Sequence, residues 1–338
     1  MRATLRGLPA LVAALFLTAA AQAQTSSVEQ FYRGKTITVM IGYGVGGSDD
    51  LWARLISRHL GRFIPGQPNV VPQNVPGAGS LVAANQIYNT APKDGTVFGL
   101  INRGVPFEPL FGGNSTQFDP RKYNYIGSPD RDTIVCFARA DTPFDTVAGL
   151  RDREIIVAAT GSGADSQTYP VLLRDLLGLK VKIVAGYPGS REMNLAVERN
   201  EAQATFISYD TAAREPGLAN GTRRILFQGA VTPDPRMKDV PGLKGLAADD
   251  AQARALDFFL LRGQMGRPFV APPGVPPERI QALQAAFDAT LKDPQVMEEA
   301  KKQGLNIAYI APADLAAVVD RAYLADPETI ARVRKSLH

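Results

Sequence analysis

The chain predicts an α/β protein of two lobes, each a mixed, mainly parallel sheet flanked by helices. Three observations carry that expectation. Strand, glycine turn and helix follow one another repeatedly in the first hundred residues, the signature of a parallel sheet with crossover helices. The alternation breaks over residues 104–131, which are rich in Gly, Pro, Asn and Asp, and then resumes. The length of 338 residues also suits two domains at roughly 150 residues each. Hydrophobic residues at 45% and charged residues at 21% exclude a disordered chain and a multi-span membrane protein.

Met1 to Ala23 reads as a secretory signal. Arg2 and Arg6 give the positive start, Leu8 to Ala20 the apolar run, and Ala21-Gln22-Ala23 a small-residue cleavage site. The run is too short to span a bilayer. The expected product is exported to the periplasm. The single cysteine, Cys136, has no partner in the chain and is compatible with an oxidising compartment.

Thr36 to Ile41 is a β-rich run ending in the glycine turn Gly42-Tyr43-Gly44-Val45-Gly46-Gly47. A helix follows, with Ser48 or Asp49 as N-cap. Its Leu51, Trp52, Leu55, Ile56, His59, Leu60 and Phe63 form one apolar face, which makes His59 a packed core residue. Val70-Val71 begins a strand, Pro76-Gly77-Ala78-Gly79-Ser80 is a second glycine turn, and Leu81 to Tyr88 a second helix. Val97 to Leu100 is the next strand.

Beyond the long connection, Thr133–Ala138 and Glu154–Ala158 are strands, and Thr160-Gly161-Ser162-Gly163-Ala164-Asp165-Ser166 is a third glycine turn. A Leu-rich helix ends at Gly178, Val181–Val184 is a strand, and Tyr187-Pro188-Gly189-Ser190 opens another helix. Ala204–Ile207 and Arg224–Phe227 close this half. A proline-rich segment, Pro268–Pro277, then leads into two or three terminal helices. The expected division is lobe I from 29–131 and 256–338, and lobe II from 132–255.

Most chemistry is excluded by parts. Two histidines, His59 and His338, and one cysteine leave no His- or Cys-based metal site and no triad. The net charge of +4 comes without a Lys/Arg run, so no nucleic-acid partner is expected. Gly42-x-Gly44-x-x-Gly47 has dinucleotide-binding spacing, but no acid lies between Asp50 and Asp94 to hold a ribose. The glycine a phosphate loop needs before Gly34-Lys35 is Glu29, and Ser162 is one place late for a nucleophile elbow.

The glycine turns remain. Each stands at the carboxyl end of a strand and the start of a helix, the edge at which such sheets bind ligands. Free N–H groups of the first helical turn and the helix dipole favour an anion there, by about 0.3–1 kcal/mol per exposed site. Several such turns facing one cleft would hold a carboxylate through amides, without an arginine. The same Gly-x-Gly turns could instead merely permit tight left-handed geometry.

A series of short signatures runs in order along the chain: Tyr43 to Asp50 followed by Ala53-Arg54; Pro76 to Gly79; Ala91-Pro92-Lys93-Asp94-Gly95; Gly161 to Gln167; Tyr187-Pro188-Gly189; Asp239-Val240-Pro241; and Ala271 to Pro276. In order and spacing they resemble the periplasmic solute-binding receptors of tripartite tricarboxylate transporters, also called Bug receptors, over nearly the whole exported chain. The resemblance implies a type II-like two-lobe binding protein that closes on its ligand like a Venus flytrap. It implies a small organic carboxylate as ligand, membrane permease subunits as partners, a monomer, and no cofactor, metal or catalysis.

Carried onto this sequence, the ligand-binding residues are Tyr43, Gly46, Gly47, Ser48, Asp50, Gly77, Ala78, Gly79 and Ser80 in lobe I. In lobe II they are Ser162, Asp165, Ser166, Gln167, Tyr187, Arg191 and Ser208. The sequence departs from the family pattern in places. The prolines of the first loop become Gly42, Gly44 and Val45, and the family histidine becomes Gln167. Asp165 would repel a second carboxylate, accept from a hydroxyl or ammonium group, or cap its helix. Arg191 is either a cation for a distal carboxylate or a solvated side chain. A ligand-sensing subunit for a membrane signalling partner and an exported α/β enzyme are the rival readings.

Overall fold

The computed structural model describes residues 27–112, 115–143, 149, 151–161 and 163–337. The signal segment Met1–Ala23, Ser162 and His338 lie outside the described residues.

Among the described residues, ten strands form two five-stranded sheets. In chain order they are β1 Thr36–Ile41, β2 Asn69–Asn74, β3 Val97–Leu100, β4 Asn124–Gly127, β5 Ile134–Arg139, β6 Ile155–Ala158, β7 Val181–Val184, β8 Ala204–Ser208, β9 Arg223–Gly229 and β10 Phe269–Ala271. The first sheet runs β2-β1-β3-β10-β4 and the second β7-β6-β8-β5-β9. β1 pairs in parallel with β2 and β3, and β6 with β7 and β8. The strand arriving from the other sheet is inserted antiparallel in each case: β10 between β3 and β4, and β5 between β8 and β9. The chain thus crosses between the sheets twice, at 128–133 and again between β9 and β10. This is the two-lobe α/β fold the alternation predicts.

Both sheets are buried on two faces, and the period-2 pleat sorts the side chains. On β5, Val135 and Phe137 join the cluster holding Met193, Ala196 and Ile207, while Ile134, Cys136 and Ala138 join the one holding Tyr169, Phe206 and Phe259. In the first lobe, Ile37, Val39 and Ile41 pack on Trp52, Phe98, Phe269 and Phe287. Trp52 and Phe269 are fully buried, each worth about 1.5–3 kcal/mol of apolar transfer at least.

Two strands were not expected. β4 lies inside the Gly/Pro-rich connection, and β10 is three residues bracketed by Pro268 and Pro272. Prolines just outside a strand interrupt no ladder bond, and three buried residues are too few to show a period. Four helices, not two or three, close the chain: Pro277–Lys292, Pro294–Lys302, Pro312–Tyr323 and Pro327–Leu337. Each begins at a proline, whose fixed φ and missing N–H suit the first helical position. No helix among the described residues is long and apolar enough to cross a membrane.

Candidate functional site

Because β1, β2 and β3 are parallel, their carboxyl ends share one edge of the first sheet. β6, β7 and β8 do the same in the second. The cavity between these edges is lined from both sides, by Tyr43, Gly47, Ser48 and Asp49 of the first loop and by Thr160, Asp165, Ser166, Ser190 and Ser208 of the second lobe. Its volume is about 60 Å³, and the two halves touch around it, Gly44 N donating to Pro188 O and Arg267 reaching both Ser48 and Ser208.

The first loop is shaped by Asp50. Its carboxylate accepts from Gly46 N at 2.8 Å, Arg54 Nε at 2.8 Å and Asn74 Nδ2 at 2.8 Å. Asn74 Nδ2 also donates to Tyr43 O. Asp50 is buried, and these donors hold its carboxyl below the ordinary value against burial. It therefore positions the loop and does not line the cavity. The Ser48–Leu60 helix starts from Gly47 as N-cap, not Ser48 or Asp49, and no side chain caps it. Its first N–H groups and the Ser48 and Asp49 side chains are left at the cavity.

In the second lobe Ser166 Oγ accepts from Thr160 N at 3.0 Å. The Asp165–Asp175 helix has no side-chain cap. Asp165 instead pairs with Arg103 Nε at 3.3 Å and Arg262 Nε at 3.1 Å. Ser208 caps the short Tyr209–Arg214 helix and is hydrogen-bonded to Thr211 Oγ1 at 2.7 Å.

Arg103 and Arg267 line the cavity and Arg262 stands behind it; all three are buried. Arg267 Nη2 donates to Ser48 Oγ at 2.7 Å and to Ser208 Oγ at 2.8 Å, joining the two lobes. Its Nη1 is bound to Asp130 in the crossover, with Asp132 at 3.5 Å. Among the described residues its Nε has no hydrogen-bond acceptor, the Asp49 carboxylate of its ion pair being 3.6 Å away. Burial pushes Arg267 down to about 10, partly offset by Asp49, which leaves it charged at neutral pH. The sequence offers helix amides with Arg191 as the candidate cation; the arginines that line this cavity are Arg103 and Arg267, and Arg191 lines the adjoining groove. Arg103 stands three residues beyond the end of β3, at the ligand-binding edge, and that position was a usable signal. Arg267 precedes the unrecognised β10 and gave none.

The other site residues fall elsewhere. Gly77, Ala78, Gly79 and Ser80 all have positive φ, and the turn abuts the second lobe instead of lining the cavity. A Cβ on Gly79 would lie 2.9 Å from Ala164 Cβ and Gly161 O, and closer to the Ala164 amide. A Cβ on Gly161 would lie 2.9 Å from Gly79 N. Glycine is required here for backbone to meet backbone across the lobes. Gly44 N likewise donates to Pro188 O at 3.4 Å. Gly46 and the exposed Arg191 line an adjoining groove. Gln167 and the half-buried Tyr187 do not line the cavity. Tyr187 packs beside the Met193 cluster.

Burial raises the Tyr43 hydroxyl well above its usual range, with the Asp49 and Asp165 carboxylates adding to it. Burial also raises Asp49, against the pull of Arg267 and Arg103. It pushes Asp132 up to about 6, helped by Asp210, and Glu108 up to about 7, opposed by Arg262. Carboxylate oxygens of Asp130, Asp132 and Asp210 lie within 4.8 Å of one another, a spacing open to a cation. Arginine cations stand among them: Arg267, and Arg236 at 2.7 Å from Asp210 and 3.8 Å from Asp132. His59 is at the far end of its helix, roughly 17 Å from Ser48 at 1.5 Å per residue. Its Nε2 is 2.6 Å from Glu299 Oε2, so its packed position includes an ionic partner.

The model of the tripartite tricarboxylate transporter family receptor matches residues 53–325. A UPF0065 protein in the gbd 5' region of Cupriavidus necator is 28% identical over 316 residues, covering 90% of this chain and 88% of that one. Among solved structures, the periplasmic binding protein BugD superposes with a TM-score of 0.72 at 20% identity, over 90% of this chain and 98% of its own. MatC from Rhodopseudomonas palustris with bound malate superposes with a TM-score of 0.69 at 21% identity, over 90% and 99%.

Proposed function

Because the chain belongs to the tripartite tricarboxylate transporter receptor family, we propose that it captures a small organic carboxylate in the periplasm and hands it to the permease subunits of such a transporter. It works as a monomer, by reversible closure of lobe I (29–131 and 256–338) on lobe II (132–255), and carries out no reaction. The observation that carries this reading is the cavity itself. Starts of three helices, Ser48–Leu60, Asp165–Asp175 and Ser190–Glu198, border it from two lobes. The Arg267 cation joins those lobes at Ser48 and Ser208.

An anion in that space meets helix N–H groups and the Arg267 and Arg103 guanidinium groups. Helix-end dipoles add up to about 2 kcal/mol in partly buried geometry. Contacts from both lobes form only when the lobes meet, so the ligand stabilises the closed form by its differential affinity for it. We assign ligand contact to Tyr43, Gly47, Ser48, Arg103, Asp165, Ser166, Ser208 and Arg267. Malate, held by the related MatC, is a first probe.

A thermal-shift screen of the signal-free protein against mono-, di- and tricarboxylates tests the proposal. An acid at 100 times its dissociation constant should add about 2.7 kcal/mol of stability. A screen in which no carboxylate raises the melting temperature would overturn it.

A further inference from the structure

At the end of the second sheet opposite the cleft, a second cavity of about 530 Å³ lies beside the outer ends of β5 and β9. β5 runs from Ile134 at the cleft to Arg139 at this cavity, roughly 17 Å at about 3.4 Å per residue. A volume of this order suits a small molecule. Its wall includes Arg223, which is 6% exposed. Phe137 covers one face of the guanidinium, its ring centroid 4.1 Å away. The stem packs on Gly217, where a Cβ would come within 2.3 Å of Arg223 Cγ. Clamped in this way, the head does not swing out to water as exposed arginines do. Among the described residues its Nε and Nη2 have no hydrogen-bond partner and it makes no ion pair. Burial lowers Arg223 from the ordinary arginine value, and Glu215 and Glu198 oppose that shift from beyond ion-pair distance. The other cation of the wall, Arg139, is taken up by Asp141 through two hydrogen bonds.

A buried cation without an acceptor is costly until an anion reaches it. We propose that this cavity is a second ligand site, for a small monocarboxylate, with the carboxylate on the Arg223 guanidinium and the apolar body against Ala140, Val197 and Pro216. A planar carboxylate matches a guanidinium in shape and charge. A second negative charge on the ligand would face Glu198 and Glu215, which line the same cavity. The site therefore takes monocarboxylates and turns away dicarboxylates and phosphate. It uses no residue of the inter-lobe cavity, so it stands or falls apart from the receptor reading.

The test uses 4-bromobenzoate, 5-bromoisophthalate, which adds a second carboxylate to the same ring, and inorganic phosphate. Crystals of the signal-free protein are soaked in each bromo acid and the bromine is located by anomalous scattering; equilibrium dialysis counts the equivalents bound per chain. 4-Bromobenzoate should occupy this cavity with its carboxylate within about 3 Å of the Arg223 guanidinium, whatever it also does in the cleft. Arg223→Met should bind one equivalent fewer than the wild type, and Arg223→Lys, a point charge without the planar fork, should hold that equivalent at least tenfold more weakly. Glu198 is exposed, and Glu198→Gln should admit 5-bromoisophthalate to the cavity while keeping 4-bromobenzoate. Equal binding by the wild type and Arg223→Met would overturn the site. Bromine seen here in the crystal with no matching equivalent in dialysis is binding at crystal concentration only, and overturns it too. Phosphate or 5-bromoisophthalate bound here by the wild type more tightly than 4-bromobenzoate would overturn the monocarboxylate class.

Discussion

Replacing Gly79 by alanine should keep the lobes from closing. The added Cβ would stand 2.9 Å from Ala164 Cβ and from Gly161 O, where ordinary contact begins at 3.4 Å. The Ala164 amide nitrogen would be closer still, so the turn must retreat by about an ångström, and its neighbours are the backbone and Cβ of Ala164 and the backbone of Gly161, not a side chain that could swing away. Forcing an extra carbon into a packed contact costs about 1–3 kcal/mol, and here the penalty falls only on the closed form. At about 1.4 kcal/mol per tenfold, that weakens binding roughly 5- to 150-fold. The left-handed backbone at Gly79, φ +62°, adds a separate strain of about 1–2 kcal/mol that open and closed forms share. Gly178→Ala is the control: its φ is +68° and nothing lies within 4 Å of its Cβ. Both variants should melt at lower temperature, but only Gly79→Ala should lose affinity for the acid that most stabilises the wild type. It should also show a larger radius of gyration by X-ray scattering. Wild-type affinity and wild-type scattering from Gly79→Ala would refute the closure contact.

Asp50→Ala leaves Gly46 N, Arg54 and Asn74 without their acceptor; at roughly 1.5–3 kcal/mol per bond to a charged group, urea unfolding should show a loss of several kcal/mol, and binding should weaken as the first loop loosens. Glu108 is held protonated to about pH 7 by burial, against about 4.5 when unfolded. Its contribution to stability is therefore full below pH 4.5 and lost as pH rises toward 7. Glu108→Gln should gain on the order of 3 kcal/mol relative to wild type between pH 4.5 and 7.5, measured as paired denaturation curves. Arg191 is exposed in the side groove, so Arg191→Ala should change the dissociation constant by less than about 0.5 kcal/mol equivalent.

The fold was legible wherever a strand or helix was long enough to show its period. β1 alternates, β5 and β8 are runs of five or more residues buried on both faces, and the structure has all three within a residue of the expected ends; the Ser48–Leu60 helix repeats as expected but gives way to a 3-10 turn at Gly61–Phe63, where its apolar face was expected to run on. β10 was not legible because its pairing to β3 and β4 comes from distant chain, and three buried residues between prolines carry no periodic signal. The antiparallel insertion of β5 and β10 was hidden for the same reason. In the site, glycine turns marked the correct sheet edges, but a turn does not say which way it faces. The turn at Gly77–Ser80 meets the other lobe's backbone, and only the three-dimensional packing around Gly161 and Ala164 reveals that. Arginine burial is equally invisible in a sequence. Arg267 counts as one of 37 basic residues until Asp130, Ser48 and Ser208, from three separate segments, are seen to surround it.

A crystal structure of the protein with the tightest-binding acid from the screen, collected beside Arg267→Met under the same conditions, addresses the central claim. The acid should be found between the two sheets, its carboxylate within about 3 Å of Arg267 Nε and the start of the Ser48–Leu60 helix, and it should be missing from the variant. Density for the acid in another pocket and not in this one, or an unchanged pose when Arg267 is replaced, would contradict the account.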